Sequence, residues 1–335
     1  MSHYHHLSIE EREKILVLHA EKKSLQTIAR EIGRNASTIS RELRRNKSRN
    51  HRYSANKAQE RYKERRKKSR RRKLLDNEEL KKKVQRLFLE EQWSPEQIAN
   101  RLEYEGSPYR ISYNTIYRAI YMGEFDTEAQ KRSRSDRGAV KKLRHKGKTR
   151  HRKGTAETRG KIVISNVIQE RPVEADERSV IGHWEADTLI GKREKSCLVT
   201  VTDRNSRYLL AGKIPLKRSE LLANKMIDLF SPLPVNCMKS ITPDRGKEFA
   251  KHADITSRLR GVQFYFPDPH APWQRGTNEN TNGLLREYFP KSFDFDSCPD
   301  DDIAFIIDKI NKRPRKCLGW ISPFELFFNK SLHFT

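Results

Sequence analysis

The sequence predicts a multidomain protein: an all-α, strongly basic front half of helix-turn-helix units, then an α/β domain with a mixed sheet. Three observations carry this. The 335 residues bear a formal net charge of +26, of which +22 falls in residues 1–160 and only +4 in residues 161–335. Apolar residues of the front half recur at helical spacing. From about residue 180 they gather instead into short runs that read as strands separated by helical patterns.

Such a basic excess points to a polyanionic partner, and its confinement to one half assigns that partner to the front modules. Residues 9–21 place Ile9, Ile15, Leu16, Leu18 and Ala20 at broadly helical intervals. From Ser24 to Leu43 the pattern is that of a helix-turn-helix. Ala29 is small where two helices cross, Gly33 supplies the turn, and Ile39 and Leu43 anchor the second helix. That second helix enters the major groove in proteins of this kind, and its outward residues are Ser37, Thr38, Ser40, Arg41, Arg44 and Arg45. Hydroxyls and arginines there reach phosphates and guanine edges. A plain helical hairpin with a solvated face is the alternative. Ten basic residues among positions 61–73 argue against it.

A second, weaker unit follows. Leu80, Val84, Leu87 and Phe88 share one helical face. Ser94, Pro95 and Gln97 mark a helix start by cap, first-position proline and capping box. Ile98, Ala99 and Leu102 point inward, and a Gly106-Ser107-Pro108 turn leads to a helix with Ile116, Ala119 and Ile120 inside. Tyr113, Asn114, Tyr117 and Arg118 are its outward candidates for DNA, unless the unit is only a helical spacer. Five segments result: a helix-turn-helix domain over 1–60, a basic linker over 61–76, a second helix-turn-helix-like domain over 77–123, a basic linker over 124–170, and a catalytic domain over 171–335. A fragment of roughly residues 161–335 is expected to fold by itself.

Cys197, Cys237, Cys298 and Cys317 are too scattered for a zinc knuckle or a disulfide framework, which fits a reducing cytosol. No apolar run has the length of about 20 residues that a membrane helix needs. A cytoplasmic, nucleoid-associated protein with no membrane partner is the expectation.

In the back half, residues 184–190, 197–202, 208–214, 238–242 and 262–266 read as strands, and 218–230 and 278–288 as helices. Three carboxylates stand at element ends. Asp187 is in Gly182-His183-Trp184-Glu185-Ala186-Asp187, Asp244 in Asp244-Arg245-Gly246-Lys247-Glu248-Phe249, and Glu279 in Pro272-Trp273-Gln274-Arg275-Gly276-Thr277-Asn278-Glu279-Asn280-Thr281-Asn282-Gly283. Each has a bland explanation taken alone: an edge strand, a good turn, a favourable helix start.

Together these motifs resemble the insertion-sequence-thirty family of bacterial transposases. The resemblance covers nearly the whole chain, including Arg313-Pro314-Arg315-Lys316-Cys317-Leu318-Gly319-Trp320. It implies a ribonuclease-H-like catalytic domain whose acidic triad falls on Asp187, Asp244 and Glu279, with 34 residues between the last two. Such a triad implies two Mg²⁺ or Mn²⁺ ions, because hard oxygen donors and substrate phosphate suffice for them. Asp187 would bridge the ions. Arg286, seven residues after Glu279, is either a phosphate contact or a solvated arginine. Glu185 and Glu248 are expected to support the site rather than form it. The implied partners are double-stranded DNA, as terminal inverted repeats and target, and a second copy of the chain or more. A DNA-binding repressor with a non-catalytic back half is the runner-up, and a nuclease that never joins strands is a third reading.

Overall fold

The computed structural model describes residues 5–47, 52–69, 73–127, 138–143, 162–192, 196–269 and 271–334. The chain forms two compact units, Met1–Asp76 and Asn77–Thr335.

In the first unit α1 (Ile9–Ala20) starts at a Ser8–Glu11 capping box, and α2 (Leu25–Ile32) at a Ser24 cap. Gly33 ends α2 at φ 70, a left-handed turn that suits glycine, and Asn35 caps α3 (Ala36–Asn46). Ile15, Ile28, Ile39 and Leu43 form the core. The basic linker expected over 61–76 is largely a helix, α4 (Ala55–Ser69). Its first turns explain why. Ala55 and Ala58 are buried and small, and Ala58 packs into the same core. Buried Arg12 pairs with Glu42 at 2.8 Å and also donates to Gln59 of α4. These anchors outweigh the repulsion among the exposed lysines and arginines that follow.

The second unit opens with α5 (Glu78–Leu89), α6 (Pro95–Tyr104) and α7 (Tyr113–Tyr121). The expected Ser94–Gln97 capping box is present, with Pro95 in the first helical position. Of the expected 124–170 linker, residues 128–137 and 144–161 lie outside the described residues. Its end belongs to the sheet, since β1 (Asn166–Val167) pairs with β6 (Gln263–Phe266).

The other strands are β2 (His183–Ile190), β3 (Cys197–Asp203), β4 (Leu209–Ile214) and β5 (Ser240–Thr242), and the sheet order is β1-β6-β5-β2-β3-β4. β2, β3 and β4 form an antiparallel meander, whereas β5 lies parallel to β2, and β6 parallel to β5. The described helices are α8 (Val173–Glu177), α9 (Ser219–Phe230), α10 (His252–Arg258), α11 (Gly276–Tyr288), α12 (Asp300–Lys312) and α13 (Pro323–Phe328). Trp184, Ala186, Val199 and Val201 bury one face of the sheet against Leu222, Met226 and Phe230 of α9 and Ile255 of α10. Leu189, Leu198 and Leu209 bury the other against Leu285 of α11 and Ile303, Ile307 and Ile310 of α12. An antiparallel meander continued by parallel strands, with helices on both faces, is the ribonuclease-H-like arrangement.

The second helical module does not stand apart from this domain. Arg101 of α6 is fully buried, and its five N–H donors are all used. Nε meets Glu105 at 2.6 Å, Nη1 and Nη2 meet Glu325 of α13 at 2.8 and 2.7 Å, and the carbonyls of Trp320 and Leu332 accept at 3.0 and 2.6 Å. Phe334 packs edge-on against Trp93 with ring centres 4.9 Å apart. Residues 77–123 and 171–335, expected as separate domains, therefore share one interior.

Candidate active site and DNA-binding surfaces

β2 sends alternate side chains to opposite faces of the sheet. Glu185 and Asp187 face α11, where they bond Asn278 and Asn282. The parallel register with β5 pairs His183 with Ser240, Trp184 with Ile241 and Glu185 with Thr242. Carried two residues further, the same offset sets Asp244 beside Asp187. Pro243, with no N–H to give, ends the ladder just before it.

Asp187 Oδ1 accepts the Thr188 N–H at 2.7 Å, and Oδ2 accepts the Asn282 amide at 3.1 Å. Asp244 is buried and accepts the Gly246 N–H at 2.9 Å. Buried Glu248 adjoins them, accepting the Thr188 hydroxyl at 3.2 Å and pairing with Lys217 at 2.7 Å. A Cβ at 246 would stand 2.3 Å from the Glu248 carboxylate, so any larger residue there would displace that side chain. Burial, with the charges of Asp187 and Glu248, pushes Asp244 up to about 6. Burial raises Asp187 as well, against the pull of Arg275, whose guanidinium is 3.7 Å from its carboxylate. Local negative charge exceeds what Arg275 and Lys217 neutralise.

α11 is pinned to the sheet at its first turn. Fully buried Glu185 pairs with Arg204 and accepts the Asn278 N–H at 2.8 Å. Thr202 and Thr200 donate to the side-chain carbonyls of Asn278 and Asn282 at 3.2 and 3.3 Å. Positions 275, 279, 282 and 286, three and four apart, share one face of the helix. Three of them reach β2: Arg275 and Asn282 at Asp187, and Arg286 through the Ile190 carbonyl at 3.0 Å. Glu279 lies on that face, exposed, with no hydrogen bond or ion pair among the described residues.

The predicted triad is thus divided. Asp187 and Asp244 adjoin, while Glu279 stands at the rim. Among the described residues no three His, Cys, Asp or Glu converge as a cage for one ion. Arg286, weighed as a phosphate contact, is engaged with backbone carbonyls. Arg275 and Asn282 were missed, although both stand at helical spacing from Glu279, which was signal enough to find them.

In the first unit Ser37, Ser40, Arg41, Arg44 and Arg45 are exposed on α3, and Thr38 is half-buried. Arg41 is held along the helix by the Ser37 hydroxyl and carbonyl, both at 3.0 Å. Arg41 and Arg45 share a cleft of about 290 Å³ with Arg65 and Arg66 of α4. Tyr113, Asn114 and Arg118 are exposed on α7.

A helix-turn-helix unit joined to a ribonuclease-H-like domain is the layout of polynucleotidyl transferases that act on DNA. A helix-turn-helix domain family matches residues 3–46. The chain is 38% identical over 331 residues to the transposase for insertion sequence element IS1086 of Cupriavidus metallidurans, covering 96% of this chain and 94% of that one. It is 38% identical to transposase InsI for IS30A of Escherichia coli K12 (96% and 83% covered) and 37% to the transposase for IS4351 of Bacteroides fragilis (90% and 85%). The solved catalytic core domain of BIV integrase covers 45% of the chain and 95% of its own length, at 18% identity and a TM-score of 0.35. The chain belongs to the IS30 family of insertion-sequence transposases. It is a transposase, its N-terminal unit binds DNA, and a repressor with an inert back half is not favoured.

Proposed function

We propose that the chain binds the terminal inverted repeats of its element and that Asp187, Asp244 and Glu279 carry DNA cleavage and strand transfer with two bound Mg²⁺ or Mn²⁺ ions. The observation that carries this reading is the parallel register that sets Asp244 beside Asp187, under the helix face bearing Glu279. The donor set fits such ions: hard carboxylate oxygens, two of them raised by burial, in excess over nearby cations. When bound, the ions supply Lewis-acid activation of the attacking oxygen and neutralise charge at the leaving 3′ oxygen.

The residues around them orient and hold. Thr188 and Asn282 fix the two oxygens of Asp187, and the Gly246 N–H fixes Asp244. Glu185 and Arg204 hold the start of α11, the helix whose face carries Glu279. Arg275 offsets the charge of Asp187 until then. The chain acts as a dimer or higher assembly, since two element ends must be held together. Incubating the protein with labelled element ends and Mg²⁺ tests the reading. Nicked and joined products are expected, and nicking without joining would reduce the protein to a nuclease.

A further inference from the structure

The helical pattern of α7 predicts outward contacts to DNA, and two of its tyrosines open onto a groove. Tyr117 and Tyr121 line a groove of about 600 Å³, whose other walls come from the 88–97 stretch at the end of α5 and start of α6, from residues 140–143, from α11 and from the 313–320 segment that cleavage leaves without a task. Their rings lie within 21° of parallel, with centres 6.5 Å apart, and Tyr121 is 66% exposed.

Trp320 adds a third ring, in a backbone conformation that bulky residues rarely adopt, φ 72. It is held there from both sides. Its N–H donates to the Arg315 carbonyl at 2.9 Å, and its own carbonyl accepts from buried Arg101 at 3.0 Å. A strained aromatic pinned by a buried arginine is a built surface. Lys316 stands 6.0 Å from the Trp320 ring centre and pairs with Glu96 at 2.7 Å. Among the described lining residues Lys142, Arg315 and Lys316 outnumber the one carboxylate, Glu96, while buried Arg313 is paired with Glu287 at 3.0 Å. Asn280, next to Glu279, forms part of the wall.

We propose that this groove binds an unpaired DNA strand at the element end, with bases stacked on Tyr117, Tyr121 and Trp320 and phosphates beside Lys316. Ring faces take any base without reading its sequence, and cations track the backbone. A duplex offers such rings only base edges, so the unpaired strand is the occupant that matches both the rings and the charge. The stacking site stands on the chain's action on DNA. Its placement beside the scissile bond rests on the reading of Glu279, so the test measures binding and not cleavage.

The full-length chain, without metal, is titrated with element-end duplexes that are blunt or carry a short unpaired overhang containing 2-aminopurine. The overhang is expected to bind roughly tenfold tighter than the blunt end, near the lower part of the range for stacked bases, with the fluorescence quenched. Tyr121→Ala, at an exposed position, should abolish both effects while leaving blunt-end binding and Tm unchanged, and Tyr121→Phe should keep them. Lys316→Ala should weaken overhang binding several-fold and flatten its salt dependence. Equal binding of blunt and overhanging ends, or an unchanged quench in Tyr121→Ala, would overturn the proposal. So would a Tyr121→Ala variant that alters self-association in sedimentation but not overhang binding, since the groove would then be a protein interface.

Discussion

The Asn282 amide holds Asp187 Oδ2 at 3.1 Å, one helical turn beyond Glu279 on the same face of α11. Asn282 is itself held by the Thr200 hydroxyl at 3.3 Å. Alanine at Asp187, Asp244 or Glu279 is expected to abolish cleavage and joining while inverted-repeat binding persists, because the first unit is unaffected. Asn282→Ala should keep the metal requirement and lose roughly tenfold in rate, since a mispositioned catalytic group costs on that order or more. Substantial joining by Glu279→Ala, scored on labelled ends, would remove that residue from the site.

Stability should depend on pH through Asp244. Its value in the folded protein, about 6, lies above the ordinary 3.8, so the folded state holds the proton more tightly than the unfolded chain. The stabilisation from that proton is full below the unfolded value and is lost as pH rises through about 6. Burial sets it first, then the charges of Asp187 and Glu248, opposed by Arg275 and the Gly246 N–H. In metal-free buffer Tm should therefore fall across this window in wild type and fall less in Asp244→Asn, which should be the more stable protein at neutral pH. Parallel Tm curves for the two would show that Asp244 is not perturbed.

Breaking the Arg101–Glu325 pair should be costly. Removing one partner leaves a buried charge uncompensated, at about 3–5 kcal/mol. Glu325→Ala is expected to lower the denaturation midpoint sharply, whereas replacing both residues with apolar ones of similar volume should recover much of the loss. By the same geometry a fragment of residues 161–335 should fail to fold, since it strips α6 and Trp93 from Glu325 and Phe334. A fragment of residues 77–335 should fold. Cooperative thermal melts of both fragments check this, and a stable 161–335 fragment would show the interface to be dispensable.

The first unit should bind DNA by itself as residues 1–76, with steep salt dependence from phosphate neutralisation. Truncation at residue 60 should destabilise it, because α4 would be cut within its body. Arg41→Ala is expected to erode sequence preference, while Arg65→Ala and Arg66→Ala should weaken all duplexes about equally. Competition between repeat and random duplexes separates the two effects.

The elements legible in the sequence were those whose pattern is local. The cap at Ser94, the turn at Gly33 and the runs forming β2, β3 and β4 are properties of neighbouring residues. The two aspartates could be named from their motifs, and their adjacency follows from a register that no local pattern encodes. What stayed hidden depends on distant partners. α4 looked like a charged linker because its anchors are two alanines and a pair made by Arg12 with Glu42. The union of α6 with the last residues rests on contacts such as Arg101 with Glu325 and Leu332. Glu279 carries the opposite lesson. Its motif marks it plainly, while among the described residues its side chain has no hydrogen bond or ion pair.

The Arg101 cluster also sets an order of events during synthesis. The first unit is complete once residue 76 has left the ribosome, but Arg101 must wait for Glu325 and Leu332. At about 5–20 residues per second that interval is on the order of tens of seconds. Throughout it, the growing chain can grip DNA while its cutting half is still unfinished.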